Sequence, residues 1–500
     1  MTDANLYSLL DQRFVAEGPR PAIRSPDGGT VMSFNDLRQG VARYAHALAA
    51  LGVEPGDRVT VQVEKSLAAV LLYLGCLKTG AVFQPLNTAY TESEVDYFVG
   101  DAEPKIIVCD PARQQAYRAL GDRHRVLAVV NLDAQGHGSL ADLASRMDDQ
   151  GETVARDPND LAGLLYTSGT TGRSKGAMIT HRNLSSNAES LVELWRITRD
   201  DVLLHALPIF HVHGLYVALN TAFLSGAEII WFDRFDAAAI IAALPSATLM
   251  MGVPTFYTRL LASPSFTRAA CARMRLFISG SAPLLAETHA EFSARTGHAI
   301  LERYGMTETG MIASNPYEGA RVAGSVGFPL PGVDVRITGG QPGVLEVKGP
   351  NVFKGYWRMP EKTKEEFTAD QYFITGDVGV IDDQGRIAIV GRAKDLIISG
   401  GFNVYPKEVE EVLDALPGIL ESAVIGVPHP DFGEGVIAVV TAKGPLPTEA
   451  ELIAHVSAKL ARFKVPKRIH VVAELPRNAM GKVQKAELRQ RHADTFKGRG

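Results

Sequence analysis

At 500 residues the chain has room for about two to four domains of ordinary size, which excludes a small scaffold stapled by disulfides or metal. Hydrophobic residues make up 46% and charged residues 21%, with 47 glycines and 27 prolines, a balance that excludes disorder as the main state. Lys and Arg number 51 against 56 Asp and Glu, a formal net charge of -5, so no overall basic excess points to nucleic acid or an acidic membrane surface. Cys76, Cys109 and Cys271 lie far apart and build neither a disulfide framework nor a zinc site, so a reducing, cytoplasmic location is expected.

Residues 1–10 place Asp3 ahead of any apolar run and lack a basic segment, unlike a signal peptide. From residue 33 to about 232, helical and extended patterns alternate, which predicts parallel sheets flanked by helices. Within this stretch, Thr91 and Glu94 form a capping box, the helix is expected to stop near Gly100, and Pro104 precedes an apolar run over 106–109. The apolar segment 237–257 approaches membrane-spanning length, but Pro245 and Pro254 interrupt it, so it reads as buried core. No fixed-period repeat or low-complexity segment stands out.

Further on, the turn Asp382-Asp383-Gln384-Gly385 leads into a strand over 386–390 and then into Gly391-Arg392-Ala393-Lys394-Asp395, a candidate hinge. Beyond it the pattern predicts a helix over 406–416 with Pro406 in its first turn, strands over 422–427 and 436–441, a helix capped by Thr448 with Glu451, and a strand over 469–472. The expected organisation is α/β throughout. Residues 1–392 form a large N-terminal domain with parallel or mixed sheets flanked by helices, and residues 393–500 form a small C-terminal α/β domain.

The segment Tyr166-Thr167-Ser168-Gly169-Thr170-Thr171-Gly172-Arg173-Ser174-Lys175-Gly176 follows an apolar strand over 161–165. Its glycines let backbone N–H groups turn toward an anion, its hydroxyls add donors, and Lys175 brings a mobile positive charge, so the loop suits phosphates, with ATP the natural candidate. It is not a Walker A loop, because Ser174 precedes the lysine and Gly176 follows it.

Together with Tyr304-Gly305-Met306-Thr307-Glu308, Thr375-Gly376-Asp377, the 391–395 segment and Pro476-Arg477-Asn478-Ala479-Met480-Gly481-Lys482, this loop resembles the adenylate-forming enzymes, which include acyl-CoA synthetases, luciferases and adenylation domains. The five segments stand in that family's order, and the resemblance covers nearly the whole chain. It implies that a carboxylate attacks the α-phosphate of ATP, that pyrophosphate leaves, and that a thiol takes up the acyl-adenylate. It further implies ATP or AMP contacts from Thr167, Ser168, Gly169, Thr170, Thr171, Gly172, Lys175, Ser279, Gly280, Ser281, Ala282, Glu302, Arg303, Tyr304, Gly305, Met306 and Thr307, with Asp377 and Arg392 on the ribose. Mg²⁺ would sit near Thr167 and Glu308, since that cation leans on one or two carboxylates and substrate oxygens. Lys482 would offset charge between the approaching anions, with Thr307, Glu308 and His211 also in the catalytic set. Lys394 would be the pivot of a mobile C-terminal domain. Ser399, Gly400 and Gly401 would line the path of CoA, the expected acceptor. Lys485 and Arg489 read as surface charges. Acylation of Lys482 by a lysine acyltransferase would erase its charge.

The acid would be bound by His211, Arg234, Ser279, Arg303 and Met306. Arg303, directly before the Tyr-Gly-Met-Thr-Glu segment, and Arg234, between Phe232-Asp233 and Phe235-Asp236, are unusual for a pocket that takes fatty or aromatic acids. A buried arginine needs an anion, either a protein carboxylate or one on the substrate. The flanking sequences resemble the malonyl-CoA synthetase branch, which implies malonate as the acid and tolerance of methylmalonate if the pocket has one methyl of slack. The alternatives are a synthetase for another short or aromatic acid, a catalytically inactive ATP-binding module, or a luciferase-like oxidase. His213 reads as a satisfied structural histidine. No nucleic acid or membrane partner is expected.

Overall fold

The computed structural model describes residues 3–167, 174–400, 402–478 and 481–496. Two large sheets dominate. In the six-stranded sheet, Ala128–Asn131, Ile106–Cys109, Arg58–Gln62, Val82–Pro85 and Leu161–Thr167 run parallel, and Lys175–Thr180 closes the edge antiparallel to Leu161–Thr167. In the nine-stranded sheet six parallel strands, Pro21–Arg24, Glu228–Trp231, Val202–His205, Leu249–Gly252, Leu276–Ser279 and Leu301–Met306, are flanked by antiparallel neighbours. Continuous apolar runs such as Ile106-Ile107-Val108-Cys109 are buried at every position because helices cover both faces of a parallel sheet. The helix Leu67–Thr79 is apolar nearly all round and almost wholly buried.

The capping box at Thr91 opens the helix Glu92–Ala102 as expected, but the helix runs past Gly100 and ends with Glu103 in the left-handed region, φ 47°. Gly100 lies under the His124 imidazole, so its missing side chain serves packing rather than termination. The 237–257 segment divides into the helix Ala237–Ala243, a short turn of helix, the strand Leu249–Gly252 and the start of the helix Pro254–Leu261, and its apolar residues enter a buried core. Among the described residues no helix is long and apolar enough to cross a membrane.

A four-stranded antiparallel sheet, Asp334–Thr338, Gly343–Lys348, Phe373–Ile381 and Ile387–Arg392, ends on the candidate hinge. After one helical turn at Ala393–Asp395, the strand Ile397–Ser399 enters a separate five-stranded sheet with its own core around Val409, Leu413, Val424, Val436 and Val456. The chain is thus a large N-terminal α/β body followed by a small C-terminal one. The helix near 406 is Pro406–Asp414, and the strands beyond it, Ile419–His429 and Gly433–Ala442, form one long hairpin. They outrun their apolar cores because Gly426 and Gly435 stay in the ladder, Gly426 against Ile397 and Gly435 beneath the Phe496 ring.

Candidate active site

Of the phosphate loop, Ser168, Gly169, Thr170, Thr171 and Gly172 lie outside the described residues, and the strands on either side set its ends. Thr167 and Lys175 are register partners across the hairpin, and the Thr167 hydroxyl donates to the Lys175 carbonyl at 3.5 Å. Lys175 Nζ lies 2.8 Å from Glu366 Oε1 and 4.0 Å from the centre of the Tyr356 ring. The Tyr356 hydroxyl stands 3.1 Å from Glu308 Oε1 and 2.8 Å from Glu366 Oε2 and donates to one of them at a time. Burial pushes the Glu308 carboxyl upward, against the pull of that hydroxyl, Lys175 and Arg392. A buried carboxylate and a threonine hydroxyl, both near Lys175, are hard oxygen donors of the kind Mg²⁺ takes, so these residues fit that ion. Among the described residues no group of three or more His, Cys, Asp and Glu could hold a metal alone. Tyr356 and Glu366 were not expected here. Glu366 ends a charged run, Glu361 to Glu366, that reads as solvated surface, and only folding brings it to Lys175.

On the ribose side Asp377 follows Gly376, whose φ of +69° makes the bend that a side chain would strain. Its Oδ2 accepts from the Tyr304 hydroxyl at 2.5 Å and its Oδ1 faces Arg392 Nε at 2.8 Å, across a register pair of the four-stranded sheet. Tyr304, Asp377 and Arg392 therefore converge as a bonded triad. Gly305 is pressed against the Gly310 carbonyl, leaving no space for a Cβ.

The loop carrying Lys482 rests on the large body: a Cβ at Gly481 would stand 3.3 Å from Thr255 Oγ1. Although Lys482 is solvent-accessible as a residue, desolvation of its ammonium and then the repulsion of Arg392 bring its pKa down to about 8, with Asp377 pulling the other way. Lys394 is exposed. Lys485 and Arg489 are not free surface charges as expected. Lys485 Nζ pairs with Glu410 at 2.5 Å, and Arg489 Nη2 pairs with Asp395 beside the hinge at 2.6 Å. Ser399 is buried, Gly400 has φ +59°, and Gly401 lies outside the described residues.

The acid side is built where the strands Leu276–Ser279 and Leu301–Met306 lie parallel, Ser279 beside Glu302. Arg303 is 4% exposed, forms no ion pair among the described residues, and leaves Nε and Nη2 without a hydrogen-bond partner. Its guanidinium occupies the space a side chain at Gly280 would fill. Burial lowers its pKa to about 9. Glu302 is not its partner: that carboxylate accepts from the Gly324 N–H at 3.2 Å, and burial raises its pKa to about 7. His211 is partly buried and held near 4 by burial and by Arg303. Met306 packs at the edge of the main core, and Thr307 lines a cavity of about 20 Å³ with Tyr216 and Asn351. Ala282 is partly buried.

Two expectations are corrected here. Arg234 is exposed and lines a different cavity, of about 380 Å³, with Lys65, Asp233 and Phe235, a wall that includes neither Arg303 nor His211. An exposed guanidinium is solvated by water, so the need for an anion lapses there. His213 is not fully satisfied: its Nδ1 is 3.2 Å from Ser281 Oγ, but its Nε2 is buried without a partner.

The family of AMP-binding enzymes matches residues 10–357, and its C-terminal domain matches residues 408–482. The chain belongs to this family, within the adenylate-forming superfamily. ATP-bound MatB from Rhodopseudomonas palustris superposes with a TM-score of 0.95 at 52% identity, covering 99% of this chain and 100% of that one. The mitochondrial malonate–CoA ligase ACSF3 of Mus musculus is 37% identical over 86% of this chain and 81% of its own length. Feruloyl-CoA synthase from Amycolatopsis sp is also 37% identical, over 93% and 94%. The chain is accordingly an AMP-forming acyl-CoA ligase that uses ATP and CoA.

Proposed function

We propose that the acid is malonate, and that the protein makes malonyl-CoA through a malonyl-adenylate. The observation that carries this reading is the unpaired edge of Arg303. Nε and Nη2 are the two donors on one side of the guanidinium, the side that takes a carboxylate with two parallel hydrogen bonds. A buried arginine without a protein anion is costly, and a substrate carboxylate removes that cost. The other carboxylate of malonate attacks the α-phosphorus of ATP, forming the mixed anhydride as the bond to pyrophosphate breaks. The CoA thiolate then attacks the acyl carbon and AMP leaves. Lys482 offsets the charge gathered in the first step, Asp377 accepts from the ribose hydroxyls, and His211 closes the acid site. Mg²⁺ at Glu308 and Thr167 would supply countercharge to the phosphates. We further propose that residues 393–500 pivot at Lys394, withdrawing Lys482 and bringing Ser399 and Gly400 to the thiol path. The free, buried cysteines accord with a reducing cytoplasm.

The test is AMP release dependent on both ATP and CoA, measured in parallel with malonate, methylmalonate, sulfoacetate, acetate and ferulate. Strong preference for malonate is expected, with methylmalonate second. Turnover favouring acetate or ferulate would leave the ligase standing and remove malonate. Preference for sulfoacetate would keep the dianion site and change its substrate.

A further inference from the structure

Resting on the dianion reading, we propose that His213 is a second recognition group for the far carboxylate of the acid, donating from Nε2 while Ser281 fixes the orientation of its ring. His213 is 1% exposed and opens the π-helical turn His213–Leu219, two residues after His211. Its Nε2 is buried and unpartnered, as are the Nε and Nη2 of Arg303. These orphaned atoms belong to elements that converge: the Arg303 guanidinium fills the space a side chain at Gly280 would take, the Oγ of the next residue, Ser281, is 3.2 Å from His213 Nδ1, and Arg303 is the charge that weighs most on both histidines. Buried polar atoms in native proteins find partners, and several unmet in one place mark a site that a polar ligand completes.

Donation from Nε2 requires one tautomer, which the Ser281 contact accommodates. Burial and Arg303 keep the imidazole neutral. With the Ser281 hydroxyl donating to Nδ1, the ring proton sits on Nε2, which makes that atom a donor. Ser281 holds this contact from a left-handed backbone, φ +70°, a conformation that a non-glycine residue keeps only where its surroundings enforce it. A carboxylate that spends two acceptor positions on Arg303 has others free, and Nε2 can take one. An acid without a second anion leaves the whole set unpaired, which is how such a site rejects a monocarboxylate.

The decisive comparison is of KM and kcat for malonate and for ATP in the wild type, His213→Leu, His213→Gln and Ser281→Ala. His213→Leu should raise the malonate KM by at least about 10-fold while ATP KM moves less than about 2-fold, the scale of one hydrogen bond lost to a charged group. His213→Gln, which keeps a donor near the ε position, should recover most of that loss, whereas a role in packing alone predicts no such rescue. Ser281→Ala should fall between. An unchanged malonate KM in His213→Leu, or no rescue by Gln, overturns the proposal. Should His213→Leu not fold, an unchanged malonate KM in Ser281→Ala overturns it instead. If the wild type prefers a monocarboxylate to every dianion, the malonate reading falls first and this proposal with it, an outcome distinct from failure of the variants alone.

Discussion

On the nucleotide side of the site, Asp377 is shared between Tyr304 and Arg392, and Lys175 is paired with Glu366 beside Tyr356. On the acid side, a few residues along the same strand, Arg303 stands buried with two nitrogens unpaired and two neutral histidines near it. The first arrangement keeps its charges compensated in the empty protein, so ATP exchanges partners with groups already held in place. The second keeps a charge uncompensated, which costs stability until an anion arrives and makes binding depend on the substrate bringing that anion. Positioning and selectivity are thus divided between two halves of one site.

The largest expected effect comes from Lys482, which serves neither half alone. Lys482→Ala should slow adenylation by about two to three orders of magnitude, the usual loss for a group that stabilises transition-state charge, and leave thioester formation from preformed acyl-adenylate near normal. Pyrophosphate exchange and single-turnover thioesterification read the two steps separately, and equal loss in both would mean that the C-terminal body is misplaced rather than a charge removed. The ammonium is the active form and its pKa is lowered to about 8, so in the wild type kcat/KM should fall as pH rises through that value. Next comes the unpaired arginine. Arg303→Met should lower malonate turnover by about 100-fold, in the range for removing one partner of a buried charged pair, while ATP affinity holds. The same substitution should raise thermal stability, because it removes an uncompensated buried charge. A loss of stability would show that Arg303 has a protein partner and would break the contrast. Asp377→Asn should act in the opposite sense, raising ATP KM by about 10-fold, roughly 1.4 kcal/mol, with malonate KM unmoved.

Much of this was legible in the sequence because it is local. The capping boxes at Thr91 and Thr448 and the apolar strands over 106–109 and ahead of the phosphate loop depend on neighbours a few residues away, and they appear where the patterns place them. Asp377, Glu308 and Lys482 could be named because whole segments resemble a family. What stayed hidden is long-range pairing. Glu366 meets Lys175 from 191 residues away, and Arg489 meets Asp395 from 94 away, so neither charge announced a partner. Arg234 and Arg303 carry the same side chain, yet one is exposed and the other is 4% exposed, because Arg234 lies in the bend after the strand Glu228–Trp231 and Arg303 lies inside the strand Leu301–Met306. His213 was misread for the same reason: a His-x-His spacing cannot tell which imidazole keeps an unmet nitrogen.

The smallest effect sharpens the contrast from within the acid side, through the carboxylate that adjoins Arg303 in sequence without pairing with it. Burial raises Glu302 from 4.5 to about 7, above its value in the unfolded chain. Between those two pH values the folded protein binds the proton that the unfolded chain has released, so stability falls as pH rises from 4.5 to 7 and stays lower above it. Glu302→Gln keeps the contact to Gly324 and removes the titration. It should match the wild type below pH 4.5 and exceed it in stability above pH 7, by at most about 3 kcal/mol for the full shift. Denaturant midpoints across that range give the answer. A variant less stable than the wild type at pH 8 would mean that ionised Glu302 is compensated after all, by Lys407, the cation whose charge reaches it. A buried charge on the acid side would then be held by the protein itself, as those of the nucleotide side are, and the difference between the two halves of the site would narrow.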